Sequence, residues 1–279
     1  MPDLLYSFVP GAAESGFHVG SYRRRLPVSL VRMYENALDW EHLPHLHESS
    51  FSALELLDAG AWGWRAKVVD QRKGTESVIE LRLDREARRW ITRNLEGPAK
   101  GAEIWTHVFE VAPQMLDIVV DFFVPGVPVA QREKVGRAYA RAYEVLYDED
   151  VQMMTERQQQ LDKRIEGVRS GDSLELGPVD EITTPLSVSL SQRGFVLDRA
   201  AGEWVVYPER CPHQLGPLEL SDDGNAQVRC AWHGYRFDLQ TGDCLTGSAC
   251  RLGDRPTVRV ENGQLSLHCL LYTSPSPRD

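Results

Sequence analysis

Between Phe51 and Val124 apolar and polar residues alternate with a period of two. Runs of strand length cover Phe51 to Leu57, Ala61 to Asp70, Glu76 to Asp84, Ala87 to Leu95, Glu103 to Ala112 and Met115 to Val124, with turn signals at Gly60, Gly74 and Gly97-Pro98. In the third run Ile79, Leu81 and Leu83 alternate with Val78, Glu80, Arg82 and Asp84, which predicts a sheet with one apolar and one mostly polar face. The period then lengthens. From Val129 to Ile165, Tyr139, Tyr143, Leu146, Met153 and Met154 recur at intervals of three and four, predicting one long helix with a single apolar face. Asp150 falls in the middle of that face, and Asp148 points the other way. A carboxylate on a buried apolar stripe is costly unless paired or bound to a metal, so Asp150 is either a ligand or the partner of a cation such as Arg157.

Beyond a Gly/Ser/Pro-containing stretch from Gly167 to Pro185, period two returns in short pieces: Gly194 to Leu197, Trp204 to Tyr207 and Thr257 to Val260. Gly234, Gly242 and Gly247 punctuate turns, and the whole predicts a small β-fold. Within it stand Cys211-Pro212-His213 and Cys230-Ala231-Trp232-His233, sixteen residues apart. Two thiolates and two imidazoles at this spacing make a metal site. Structural zinc usually takes C-x₂-C with H-x₃-H, whereas Rieske [2Fe–2S] centres replace two cysteines by two histidines on one iron.

Residues 182 to 269 resemble a Rieske domain of the oxygenase type, on the flanks CPHQLGPLE and CAWHGYRFDLQTGDC. The resemblance implies that Cys211 and Cys230 hold one iron of a [2Fe–2S] cluster and His213 and His233 the other. Respiratory-chain Rieske proteins carry an extra cysteine in each loop; here those positions are Gly216 and Trp232, which points away from that group.

A cluster that takes up single electrons needs an acceptor, and residues 35 to 47 offer one. Asp39, His42 and His47 form D-x₂-H-x₄-H after Asn36, which is similar to the mononuclear iron segment of Rieske non-haem iron oxygenases. Eight histidines occur in the chain, and this segment and the cluster loops hold five of them, against a merely His-rich helix end. On a regular helix His42 and His47 would stand about 140° apart while His45 shares the face of His42. Pro44 can break that regularity. The family spacing selects His47, with His45 in reserve.

The family's third iron ligand is an aspartate on its C-terminal helix before a Glu/Gln-rich stretch; Asp150, ahead of Glu156 to Gln160, matches it and would complete a 2-His-1-carboxylate triad for Fe(II). Asp39 corresponds to the carboxylate that links a cluster histidine to an iron histidine, often across subunits; on its own sequence it could equally belong to a helix start capped by Asn36. The resemblance also implies an α+β chain in which a helix-grip (START-like) antiparallel sheet domain precedes a small all-β Rieske domain, the reverse of the usual order. The divisions expected are 1–166 for the catalytic domain, 167–181 for a linker, 182–270 for the Rieske domain and 271–279 for a non-native or disordered tail. Trp62, Trp64, Trp90, Trp105, Phe122 and Phe123 are candidates to line a pocket between sheet and helix, or to pack in the core.

Net charge of −10 argues against nucleic acid or anionic membrane as partners. The most apolar run, Met115 to Val129, is interrupted by Asp117 and Asp121, and Met1 to Pro10 lacks a basic region, so a soluble protein is expected. Cys244, Cys250 and Cys269 are an odd set without disulfide spacing, which suits a reducing cytoplasm. The resemblance implies an oxygenase that uses O₂ to hydroxylate or oxidatively demethylate an apolar, ring-containing small molecule. No dinucleotide fingerprint or plant-type ferredoxin cysteine set is found in the sequence, so NAD(P)H would act through a separate reductase or ferredoxin. Family members commonly form homo-oligomeric rings such as trimers. The alternative is a Rieske electron carrier fused to a START-like ligand-binding domain without catalytic iron.

Overall fold

A computed structural model describes residues 17–163, 172–190, 192–221, 225–246 and 249–269. Met1 to Pro10, residues 167–171, Gly247 and the tail 271–279 lie outside the described residues. The chain divides into two compact units near Gln158.

In the first unit, β1 (His18–Leu26) leads to α1 (Leu30–Leu38) and α2 (Leu43–Leu46). Six strands follow: β2 (Phe51–Gly60), β3 (Gly63–Asp70), β4 (Glu76–Asp84), β5 (Arg89–Glu96), β6 (Glu103–Ala112) and β7 (Met115–Phe123). The unit ends in α3 (Val129–Asp162). All strands join one antiparallel sheet in the order β1-β7-β6-β5-β4-β3-β2. The six expected strands are present, and β1 is a seventh that alternation did not reveal. Its inward-facing positions explain why: Gly20, Tyr22, Arg24 and Leu26 lie opposite Phe122, Val120, Ile118 and Leu116 of β7, so an apolar face is completed by a glycine and an arginine.

The apolar face of the sheet packs on α3. Phe122 contacts the rings of Tyr139 and Tyr143, with centroids 5.2 and 5.3 Å away, and is fully buried with Met33, Leu116 and Met154. Complete burial of one such side chain contributes on the order of 2 kcal/mol. The buried residues of α3 are Gly136, Tyr147, Asp150, Met153 and Met154; Leu146, expected on the stripe, sits at its edge and Tyr147 takes its place. Of the six candidate pocket aromatics, Trp64, Trp90 and Phe122 are core residues. The other three are not on that side: Trp62 and Trp105 each carry an arginine over the ring, Arg82 and Arg89 at 5.1 Å, and Phe123 packs edge-on against Trp105. Trp105 and Phe123 belong to the polar face, where strand alternation sends every second residue, and Trp62 lies in the turn between β2 and β3.

The close approach of α3 to β1 depends on two glycines. A Cβ on Gly136 would lie 2.2 Å from the Val19 carbonyl oxygen and 3.1 Å from the Gly20 Cα. Gly to Ala inside a helix ordinarily gains about 1 kcal/mol. Gly136→Ala is expected to do the opposite and lose about 1 to 3 kcal/mol by forcing the helix off the strand. Urea unfolding checks the sign, and a stabilised variant would show that the crossing is not limiting.

The second unit holds three small antiparallel sheets built from β8 (Ser173–Pro178), β9 (Leu186–Leu190), β10 (Arg193–Ala200), β11 (Glu203–Pro208), β12 (Leu218–Leu220), β13 (Gln227–Cys230), β14 (Arg236–Asp238), β15 (Thr257–Glu261) and β16 (Gln264–His268). Their orders are β11-β10-β9, β12-β13-β14 and β15-β16-β8. Leu190, Phe195, Leu197, Leu265 and Leu267 form one core cluster in it, and Leu218, Val228, Phe237 and Leu252 are buried as well. The expected linker 167–181 is corrected here: Ser173–Pro178 pairs along β16, placing Leu174 opposite Leu267, and Val179–Glu181 forms a 3₁₀ turn. Leu174 and Leu176 alternate with polar residues and pack on the core, which the Gly/Pro content of the surrounding stretch obscured. The organisation is α+β: a domain in which a seven-stranded antiparallel sheet packs on a long helix, followed by a small all-β domain. Among the described residues no helix is long and apolar enough to cross a membrane.

Candidate metal centres

The two Cys/His loops have one backbone design. Leu215 N donates to Cys211 O at 3.0 Å and Gly234 N to Cys230 O at 2.9 Å. Cys211 N donates to Gly216 O at 2.7 Å, and Cys230 N to Tyr235 O at 2.8 Å. The fourth residue after each cysteine takes a positive φ, 66° at Leu215 and 65° at Gly234, so each loop folds back over its own cysteine. The histidine between is thereby presented beside the other loop. The rings of His213 and His233 lie 4.8 Å apart at 77°, with Tyr235 packed against both, and Cys211 and Cys230 are fully buried. The structure brings all four expected cluster residues together.

The second cluster of ligands is assembled by α1, α2 and α3. Ser29 caps the N-terminus of α1, its hydroxyl accepting from Arg32 N, and Asp39 follows the last turn with its N–H on Asn36 O. Asp39 therefore stands at a helix end, and Asn36 is inside α1 and caps nothing. Trp64 Nε1 donates to Ala37 O at 2.9 Å and ties that end of α1 to β3. The chain then turns through a helix of four residues, with His42 just before it and His47 just after it. The 140° separation of a regular helix does not apply, and the two rings come within 5.0 Å. His45 lies within the short helix, outside the ligand group.

His42 Nε2 and His47 Nε2 stand 3.5 and 3.2 Å from Asp150 Oδ1. One ligand atom from each of the three residues lies within 4.8 Å of the others, and all three residues are buried. Asn36 Nδ2 also donates to Asp150 Oδ1, at 2.8 Å. Arg157, the alternative partner for Asp150, instead makes a two-pronged contact with Glu35 at 2.8 Å on each prong. Burial pushes the Asp150 carboxyl up, but His47, His42 and Asn36 outweigh it and hold it below its ordinary range. Burial pushes the His47 imidazole down, yet Asp150 and Glu149 carry it above its ordinary value. On the far sides of the rings, Glu149 Oε2 lies 2.6 Å from His47 Nδ1 and Asp39 Oδ2 lies 3.7 Å from His42 Nδ1.

Residues 172–256 match the Rieske [2Fe-2S] domain family. A human Rieske domain-containing protein is 30% identical over 117 residues, covering 35% of this chain and 74% of that protein. The chain belongs to the Rieske domain family. Pheophorbide a oxygenase of rice, a chloroplast protein, is 39% identical over 59 residues, 20% of this chain. Methylxanthine N1-demethylase NdmA of Pseudomonas putida is 30% identical over 66 residues, 24% of this chain. The matched stretches span 11% of the rice protein and 18% of the bacterial one.

The Rieske loops fit a cluster on their own chemistry. The thiols of Cys211 and Cys230 are in hydrogen-bond contact. That contact, helped by His233 and the backbone N–H groups of His233 and Trp232, lowers the Cys230 thiol against its burial. The same bond and burial push Cys211 up. A metal bound there would take both sulfurs as thiolates. Gly216 keeps the Rieske loops close: a Cβ there would lie 2.8 Å from the Trp232 ring and 3.0 Å from Cys230 Sγ. The mononuclear ligands fit a divalent iron in the same sense, as two imidazoles and one carboxylate sharing a buried point. Glu149 is the residue that sequence reasoning passed over; its place immediately before Asp150 on α3 was the only signal.

Proposed function

We propose that this chain is a Rieske non-haem iron oxygenase that hydroxylates or oxidatively demethylates an apolar, ring-containing small molecule. The observation that carries the reading is the buried convergence of His42, His47 and Asp150 in a chain that also holds a Rieske domain. Local similarity to an oxygenase and to an N-demethylase supports it. A [2Fe–2S] cluster on Cys211, His213, Cys230 and His233 would take electrons from a separate NAD(P)H-linked reductase or ferredoxin. A mononuclear Fe(II) on His42, His47 and Asp150 would supply the redox chemistry with O₂ as co-substrate.

The chain's own residues have defined parts in this reading. Asn36 donates to the same Asp150 oxygen that the two imidazoles approach and so fixes the orientation of the carboxylate. His42 and His47, at 3% and 2% exposure, are shielded from bulk water, which keeps ligand and reaction chemistry away from solvent. Asp39, whose carboxylate lies 3.7 Å from His42 Nδ1, would form the bridge between the iron-site histidine and a cluster histidine, in a homo-oligomer such as a trimeric ring. Cytoplasmic residence and the domain division 1–166, with a Rieske domain opening at 172 rather than 182, complete the proposal.

The test is iron and acid-labile sulfide per chain after anaerobic purification and reconstitution with Fe(II). Roughly three irons to two sulfides are expected, a cluster plus one mononuclear site. Two irons to two sulfides with Fe(II) in excess would leave an electron carrier joined to a ligand-binding domain, and the oxygenase reading would be withdrawn.

A further inference from the structure

The two histidines at the mononuclear site are held unequally. His47 Nδ1 has a carboxylate oxygen of Glu149 at 2.6 Å. His42 Nδ1 is buried without a hydrogen bond, Asp39 Oδ2 being 3.7 Å away and beyond reach. With its proton on Nδ1, His47 can donate to Glu149 and turn a bare Nε2 toward Asp150; that single bond sets both the tautomer and the plane of the ring.

Glu149 and Asp150 are neighbours on α3, one facing outward with its side chain 31% exposed and the other inward at 11%. One helical turn thus supplies both a ligand and the group that aims a second ligand. His47 sits where α2 ends and the chain enters β2, with Ser50 N and Phe51 N both on its carbonyl, so its backbone is tied to a different element from Glu149. The Glu149–His47 bond is therefore also a link that closes the site between α2 and α3.

We propose, resting on the iron-site reading above, that Glu149 is the positioning residue for His47, holding the imidazole in the tautomer and orientation that bind a divalent metal. The Glu149 carboxylate also stands next to that of Asp150 on α3, so the site presents two acidic side chains around the imidazoles. Replacement by glutamine keeps an acceptor for the Nδ1 proton and removes the charge; replacement by alanine removes both.

The test is calorimetric titration of the full chain, its cluster already assembled, with Co(II). His47→Ala identifies which binding event belongs to this site. Glu149→Gln is expected to weaken that event roughly 10-fold and Glu149→Ala roughly 100-fold, the range found for groups that orient metal-bound histidines. The cluster absorption spectrum should stay as in the wild type, and any fall in metal-free melting temperature should be too small to account for the loss of affinity. Unchanged Co(II) affinity in both variants would overturn the proposal while leaving the iron site standing. Affinity losses that merely track a lower metal-free melting temperature would make Glu149 a structural residue and also overturn it. A wild-type chain with no Co(II) event that His47→Ala removes would bring down the iron-site reading itself.

Discussion

Asp150→Ala is expected to abolish turnover and empty the mononuclear site while leaving the Rieske cluster intact. Iron should fall from roughly three to roughly two per chain with sulfide unchanged. The size of the effect follows from what the side chain does. It is the carboxylate on which His42 Nε2, His47 Nε2 and the Asn36 amide converge, and alanine removes a ligand, a countercharge and a hydrogen-bond acceptor from a buried point at once. Asp150→Asn separates these, since it keeps the volume and loses the charge. Retention of the third iron in Asp150→Ala would remove Asp150 from the ligand set.

The same substitution has a pH signature in metal-free protein. The Asp150 carboxyl is held below its ordinary value of 3.8, so its contribution to stability is present above that value and is lost as pH falls through the lowered one. The His47 imidazole is carried above its ordinary value of 6.5, so its contribution is present below 6.5 and is lost as pH rises through the raised one. Both operate fully between 3.8 and 6.5. The melting-temperature difference between wild type and Asp150→Ala should be most in favour of the wild type inside that window and shrink on both sides. A difference independent of pH would mean that the pair is not coupled in the folded chain.

The second large effect is expected at the cluster. His213→Ala should lose both sulfides and the iron they hold, leaving a colourless protein that retains about one iron at the mononuclear site. Loss should be complete because the loop offers no substitute imidazole: Pro212 and Gln214 flank His213, and the ring stacked beside it, Tyr235, carries only a phenol. An intact cluster spectrum would sink the assignment of His213. Activity should vanish in this variant as in Asp150→Ala, for a different reason. Here electrons cannot enter, so a chemically reduced preparation supplied with excess mediator is the experiment in which the two variants part.

Much of this was written locally. A metal loop must bring its ligands together within a few residues, so Cys211, His213, Cys230 and His233 were legible from spacing, and their family resemblance from the flanking residues. Asp150 was legible from period alone, as a carboxylate on a stripe of tyrosine and methionine. Strands β2 to β7 were legible because their inward faces are apolar. The strand β1 was not, because its inward positions are filled by Gly20, which α3 crosses, and by Arg24, which reaches Asp148 at 2.5 Å.

What tertiary structure decided are the relations between elements far apart in sequence. His47 rather than His45 joins the buried group with His42 and Asp150 because the chain turns at a four-residue helix, so its ring meets a helix more than a hundred residues later. Arg157 was free by sequence to pair with Asp150, and α1 claimed it by placing Glu35 within reach. Glu149 acquires its contact with His47 only once α2 and α3 are side by side, since no periodicity in either segment specifies which outward carboxylate will meet an imidazole. Ligand identity is a property of residue type and spacing, whereas ligand orientation is set by packing between segments that local sequence cannot see.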